Sequence, residues 1–229
     1  MLLKIFQYCT EERLCCVSSV CKRFLRVAND KLLWKSLYHQ IYEYDQPLML
    51  ISGKFEFISE SEYENPWRES FKQLYKSVHV RLGFNETFGR DNNRNLKNFD
   101  TISDALNYVK ENHSSDVSYP NFVFLHAGTY NLDDLSNYNY PAIDMENNVM
   151  LIGAASGKNI AKSVIIKRKT NIIHVNRNLK NVYVGYLTLE ITSSDSQEAC
   201  CLMINGNPTI DHCIIRSFNC CKYNYVKLV

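Results

Sequence analysis

The spacing of apolar residues changes character along the chain and divides it. Leu2, Leu3, Ile5 and Phe6 read as the tail of an amphipathic turn, and Leu14, Val17, Cys21 and Phe24 then recur every three or four residues, which predicts one helix with one apolar face. Thr10 is placed to cap that helix, and Glu11 and Glu12 suit the positive end of its dipole. Asn29 and Asp30 punctuate the chain before a third helix, where Leu33, Leu37 and Ile41 form a stripe with Trp34 and Tyr38 beside it. Residues 46–64 show no period, and Pro47 and Gly53 act as breakers, so an irregular stretch is expected. Asn65 followed by Pro66 is a cap-then-proline start, and Trp67, Phe71, Leu74, Tyr75 and Val78 extend a helix over about 66–78. Residues 83–98, with Gly83, Gly89 and a run of Asn, Asp and Arg, read as an exposed loop.

From Phe99 the pattern changes. Thr101 with Asp104 forms a capping box ahead of a short helix carrying Ile102, Ala105, Leu106 and Val109. β-Branched and aromatic runs then alternate with turn residues, and Phe122–His126, Val149–Ile152, Val164–Ile166, Ile172–Val175, Val182–Leu189, Cys201–Ile204 and Thr209–Ile215 are the expected strands. No helix separates one from the next, which points to a barrel, a sandwich or a stacked solenoid.

Composition narrows the classes. The chain has 229 residues, 45% of them hydrophobic, and a net charge of +2 from 26 basic and 24 acidic side chains. No Lys/Arg-rich stripe accompanies that charge, so nucleic acid is not an expected partner. No run approaches the roughly 18 apolar residues of a membrane helix, and MLLKIFQYC is too short for a signal-peptide core, so cytoplasm or nucleus is the expected location. The nine cysteines fall in two clusters, Cys9, Cys15, Cys16 and Cys21, then Cys200, Cys201, Cys213, Cys220 and Cys221. Adjacent pairs do not give zinc-ligand spacing, and the count is odd, so buried reduced thiols are expected, with no metal, no cofactor and no disulfide framework.

Two local patterns favour the solenoid. FDTISDALNYV followed by NFVFLHAGTYN resembles the opening of pectin-lyase-like parallel β-helices, where a short helix covers the first coil. In NGNPTIDHCIIRS, residues 205–217, Ile210, Cys213 and Ile215 are expected to face inward with Asn207 at the corner. The first part is more specific: LLKIFQY and LCCVSSVCKRFLRVANDKLLWKSLY resemble the F-box in order, residue type and spacing. With EYDQPLM, NPWRESFKQLYKSVHV, VMLIGAASGK and VYVGYLTL, the chain resembles the F-box only protein 11 family nearly to residue 217. It departs from the family pattern in lacking the Leu-Pro-x-Glu opening, in having only about three or four coils, and in a tail, FNCCKYNYVKLV, that does not continue them.

The resemblance implies an α+β multidomain chain. Residues 1–45 would be a small all-α F-box without its first segment, 46–98 a helical linker, and 99–229 the first coils of a right-handed parallel β-helix, with 218–229 a divergent tail. It also implies a non-catalytic substrate receptor of a cullin–RING ubiquitin ligase, docking on the Skp adaptor and binding a protein substrate, with no nucleic acid or membrane partner. The expected adaptor contacts are Leu3, Ile5, Phe6, Leu14, Val17, Val20, Leu33 and Trp34, while Phe24 and Leu37 are alternatives for holding the helices together. The alternatives are an inert or dominant-negative fragment, which would compete with the full-length form, and a β-helix enzyme acting on carbohydrate; the chain is also expected to be unstable alone. The enzymatic alternative draws on Asp211, His212 and Arg216, with His126 read as a packing or turn residue. Strand neighbours point to opposite faces, so Asp211 and His212 are not expected to converge.

Overall fold

The protein was analysed as a computed structural model, which describes residues 2–83, 97–112, 121–133, 142–145, 148–176, 179, 181–192, 201–217 and 226–228. Among these, the residues up to Tyr75 form one compact unit and those from Lys76 onward form another. The stretch 46–98 therefore does not stand as a linker of its own, because its first part packs with the helices and its second part joins the strands.

The first unit opens with α1 (Leu2–Phe6), α2 (Glu11–Ser18), α3 (Lys22–Ala28) and α4 (Lys31–Tyr42). The single helix expected from Leu14, Val17, Cys21 and Phe24 is two helices, with Cys21 the residue that starts α3. The hydroxyls of Ser18 and Ser19 account for the break: each donates at 2.7 Å to a carbonyl three residues back, Cys15 and Cys16, and so competes for the last acceptors of α2. Asp30 starts α4 by accepting from the amides of Leu32 and Leu33 at 2.9 and 3.3 Å, and Glu43 ends it in the left-handed region.

Residues 46–64 are not irregular throughout. Strands β1 (Leu48–Ile51) and β2 (Lys54–Phe57) pair antiparallel across a two-residue turn, Ser52–Gly53, in which both φ values are positive (51° and 83°). The outer edge of β1 is closed by side chains instead of a third strand. The Gln73 amide grips the backbone of Leu50 from both sides, accepting from its N–H at 2.7 Å and donating to its carbonyl at 3.0 Å. Tyr38 accepts from the Leu48 amide at 3.0 Å, and Ser70 donates to the Leu48 carbonyl. Gln73→Ala leaves both Leu50 groups unmet, with an expected loss of about 1–3 kcal/mol. Urea unfolding followed by tryptophan fluorescence measures it, since Trp34 and Trp67 both belong to this unit; an unchanged midpoint would refute the edge-closing role.

Helix α5 (Pro66–Leu74) starts where Asn65 accepts from the Arg68 amide at 3.2 Å. It ends before the expected position 78, because Val78 belongs to a strand of the second unit. Between α4 and α5 lies an aromatic core, with Trp34 edge-on to Phe71 at 5.4 Å and Tyr38 edge-on to Trp67 at 5.3 Å.

In the second unit, β3 (Val78–Val80) and β4 (Lys97–Phe99) lie beside α6 (Ile102–Asn112), whose start carries the expected Thr101–Asp104 box. The strands that follow are β5 (Asn121–His126), β6 (Gly128–Asn131), β7 (Ile143–Met145), β8 (Val149–Ala154), β9 (Val164–Arg168), β10 (Ile173–Val175), β11 (Tyr183–Gly185), β12 (Thr188–Ile191), β13 (Leu202–Ile204), β14 (Thr209–Asp211), β15 (Ile214–Ser217) and β16 (Val226–Leu228), with a short helix α7 (Ile160–Ser163) before β9. From β5 onward, successive strands visit three sheets in rotation: β14-β11-β8-β5-β3-β4, β15-β12-β9-β6 and β16-β13-β10-β7. All these pairs are parallel. The result is a stack of three-strand circuits, each a strand spacing (about 4.8 Å) beyond the last.

The core follows from the register. Val78, Val123, Leu151, Val184 and Ile210 occupy one position in successive circuits, and Tyr130, Ile166, Leu189 and Ile215 another. Val123, Leu151, Val184, Ile166 and Leu189 are fully buried, whereas Ile210, Cys213 and Ile215, in the last circuit, are only half covered. The single strands expected at Val182–Leu189 and Thr209–Ile215 are each two, divided at Tyr186 and His212, which take left-handed φ values of 58° and 50°. The tail does continue the pattern in part: β16 pairs with β13, while 218–225 and Val229 lie outside the described residues. Most of the expected 83–98 loop also lies outside them, but Lys97–Phe99 is strand.

Candidate functional site

The helices of the first unit present a surface that their own packing leaves uncovered. Phe6 meets Phe24 edge-on at 5.6 Å and joins α1 to α3, and Thr10 caps α2 by accepting from the Arg13 amide at 3.4 Å. Glu12 accepts a hydrogen bond from the Tyr75 hydroxyl at 3.0 Å, which ties α2 to the residue after α5. Around this frame, five large apolar side chains remain in solvent: Tyr8 at 88%, Leu32 at 69%, Val20 at 66%, Ile5 at 54% and Leu25 at 43% exposure. Soluble proteins scatter single apolar residues over their surfaces; here five fall within twenty-eight positions, Ile5 to Leu32.

The expected contact residues divide. Ile5 and Val20 are exposed, and Leu3 and Val17 are half-buried. Phe6, Leu14, Leu33 and Trp34 are buried, so the surface role expected of them is corrected to a core role. Trp34 donates from Nε1 to the Ala28 carbonyl at 2.7 Å, which closes the α3–α4 turn. Tyr8, Leu25 and Leu32 were not expected; Leu32 lies off the Leu33–Leu37–Ile41 stripe, and that offset was the available signal. Between the exposed residues the surface is basic: α3 carries Lys22, Arg23 and Arg26 and no acid.

The first cysteine cluster is not buried, against expectation. Cys15, Cys16 and Cys21 are exposed and Cys9 is half-exposed, all as free thiols. In the coil unit Cys201 is buried, and burial pushes the Cys213 thiol up to about 11, while it donates to the carbonyls of Val184 and Asp211 at 3.4 and 3.5 Å. Cys200, Cys220 and Cys221 lie outside the described residues.

A second cluster sits at the turn between β14 and β15, and it corrects the expectation that Asp211 and His212 stay apart. The left-handed backbone of His212 breaks strand alternation, and its Nδ1 comes within 2.9 Å of Asp211 Oδ1. Tyr183 donates to Asp211 Oδ2 at 3.3 Å, its phenol held well above the ordinary range first by burial and then by the Asp211 charge. The His212 ring lies flat on Tyr186, 4.7 Å between centres. Arg216 does not join them: together with Lys167, at 2.7 Å, it flanks Glu190, from which its own nitrogen stands 3.7 Å away. The cluster thus offers one oriented imidazole and one carboxylate already holding two donors. Burial of the nearby Cys213 thiol disfavours its thiolate.

His126 takes part in a buried chain in which its Nε2 is 2.9 Å from His79 Nδ1, and His79 Nε2 is 3.0 Å from Ser77 Oγ. Burial, and after it the neighbouring His126 and Arg81, holds His79 well below the usual imidazole value. Among the described residues, no group of three or more His, Cys, Asp or Glu is placed to hold a metal ion, and no helix is long and apolar enough to cross a membrane.

Residues 1–40 match the F-box-like family. The chain is 32% identical over 193 residues to the F-box protein dre-1 of Caenorhabditis elegans, an alignment that covers 82% of this chain and 19% of that protein. The chain thus carries an F-box-like domain followed by a strand-rich region and spans about a fifth of the length of this curated relative. No solved structure is similar to it.

Proposed function

We propose that this chain is a non-catalytic, substrate-recognising subunit of a Skp–cullin–F-box ubiquitin ligase of the F-box only protein 11 type. Its helical unit docks on the Skp adaptor, and its coil array is the beginning of a right-handed parallel β-helix that presents a surface to the protein to be ubiquitinated. Such a role belongs in the nucleus or cytoplasm. The observation that carries the reading is the concentration of solvent-exposed Ile5, Tyr8, Val20, Leu25 and Leu32 on the segment that matches the F-box-like family.

Apolar anchors of this kind typically supply about 2 kcal/mol each when a partner covers them. Ile5→Asp with Val20→Asp is therefore expected to weaken adaptor binding on the order of 100-fold or more. Both side chains stand in water, so circular dichroism and the melting temperature should change little. The measurement is co-expression with the Skp adaptor followed by size-exclusion chromatography and titration of the purified partners. Unchanged co-elution of the double variant would sink the assignment of this surface. Trp34→Ala is the wrong probe, because removing a buried indole costs about 3–5 kcal/mol of the unit's stability and so weakens binding whatever surface docks.

A further inference from the structure

In the second unit three of the described strands carry a carboxylate: Asp144 on β7, Glu190 on β12 and Asp211 on β14. Two of these are occupied. Glu190 is buried between Lys167 and Arg216, and Asp211 has His212 on one oxygen and Tyr183 on the other. Asp144 differs. It stands on the outer face of its strand, between the buried Ile143 and Met145, with 43% of its side chain exposed. Its Oδ1 accepts from His174 Nδ1 and from Asn176 Nδ2, each at 3.0 Å, and among the described residues Oδ2 has no partner. A carboxylate only accepts, so Nδ1 is the donating nitrogen of His174, and Nε2 is left to accept from Asn205 Nδ2 at 2.8 Å. In this tautomer the ring adds no positive charge. Side chains from the next two circuits thus fix one oxygen of Asp144, leave the other open and leave its charge uncancelled.

We propose that Asp144 anchors a subsite for a basic side chain, lysine or arginine, of the protein that the coil array receives; the subsite rests on that substrate-receiving reading. An ammonium or guanidinium N–H donates to Oδ2, a charge-assisted hydrogen bond that leaves the two at Oδ1 undisturbed. The network lowers the ordering cost of binding, because the carboxylate is held in one orientation before the ligand arrives. Met203 lies beside His174 in register, half-buried and between the buried Leu202 and Ile204. The same face therefore offers a thioether along which the aliphatic stem of lysine or arginine can lie. An acidic side chain meets repulsion at this place. A metal ion lacks ligands there, since both His174 nitrogens are engaged and a single carboxylate oxygen is open.

The test titrates the full chain with three capped tripeptides, Gly-Arg-Gly, Gly-Lys-Gly and Gly-Glu-Gly. The readout is side-chain NMR of isotope-labelled histidine; the chain has six, and the signals lost in His174→Gln identify the ring beside Asp144. One charge-assisted contact and one stem predict a dissociation constant on the order of 1 mM for the basic probes. The His174 signals should move with both basic peptides and stay still with the acidic one, and high salt should weaken the binding. Asp144→Asn keeps the shape of the side chain and removes its charge, so affinity should fall about tenfold or more while the backbone amide spectrum keeps its dispersion. The salt series needs no variant and stands even if that one fails to fold. No shift with either basic peptide up to about 10 mM, an equal shift with the acidic one, an affinity indifferent to salt, or full affinity in Asp144→Asn would each overturn the subsite. The adaptor plays no part in the titration. A chain that binds the basic probes at Asp144 yet never co-elutes with the adaptor would keep the subsite and overturn the ligase role, so the two failures are told apart.

Discussion

Gly153→Ala is expected to destabilise the coil unit by about 4 kcal/mol or more, among the largest effects of any single substitution in this chain. A Cβ at this position would stand 1.9 Å from the Tyr186 carbonyl oxygen, far inside any real contact. That carbonyl is where it is because Tyr186 adopts φ 58°, which turns the backbone of one circuit over the corner of the circuit before it. The preceding residues Ile152 and Gly185 are paired, so the two corners cannot separate without opening the ladder on which both depend. Tryptophan fluorescence during urea unfolding follows the helical unit alone, which holds both indoles, so the coil unit is read from the part of the far-UV circular dichroism change that does not coincide with it; that part is the first signal and fluorescence the second. The variant should lose the first signal early and keep the second near its normal midpoint. A loss under about 1 kcal/mol would show that the corner yields. Gly53 makes a useful comparison, because its φ of 83° disfavours a side chain but nothing lies within 4 Å of the missing Cβ. Its alanine variant should cost only about 1–2 kcal/mol, the left-handed penalty alone.

The coil unit should also lose stability in mild acid. His79 is fully buried, and its folded-state affinity for a proton lies well below the ordinary 6.5 of an imidazole, chiefly through burial. Above about 6.5 neither folded nor unfolded chain holds this proton, and the stability contribution is complete. As pH falls through 6.5 the unfolded chain takes up the proton and the folded chain does not, so folding stability falls by about 1.4 kcal/mol per pH unit until the folded value is reached. The surroundings agree with a neutral ring: Ser77 and His126 occupy its two nitrogens, Phe124 stacks on its face at 5.6 Å, and Arg81 adds a positive charge that opposes another. Urea midpoints read by circular dichroism at pH 7.5, 6.0 and 5.0 measure the slope. In His79→Gln the slope should shrink by one proton's worth; a slope the variant leaves untouched would place the acid sensitivity elsewhere.

How much of this was readable from the residues follows a physical line. α4, α5 and α6 were legible because each joins a helical period to a capping side chain, Asp30, Asn65 or Thr101, and both signals are local. The hairpin at 48–57 was not, because Ser52–Gly53 looks like a breaker until both residues are known to share positive φ. A stripe such as Leu33, Leu37 and Ile41 says which side chains share a face but not what covers it. Here α5 covers that face, which is why Trp34 went into the core and the site moved to residues such as Leu32 and Leu25. The alternation rule failed at His212 for a related reason, since one left-handed residue brings Asp211 and His212 together. The His79–His126 pair spans 47 positions and exists only because β3 and β5 lie side by side, a neighbourhood no local window contains.

Successive circuits also place equivalent residues at unequal intervals. Leu151, Val184 and Ile210 hold one position in the stack, yet the first step is 33 residues (184 minus 151) and the second 26 (210 minus 184). The seven-residue difference is taken up outside the sheets, whose register is unaffected. Length is thus a free variable at the bends and a fixed one along the strands. A lineage can lengthen, shorten or rewrite one bend and leave the rungs on either side intact, so recognition surfaces on such a stack are editable one storey at a time.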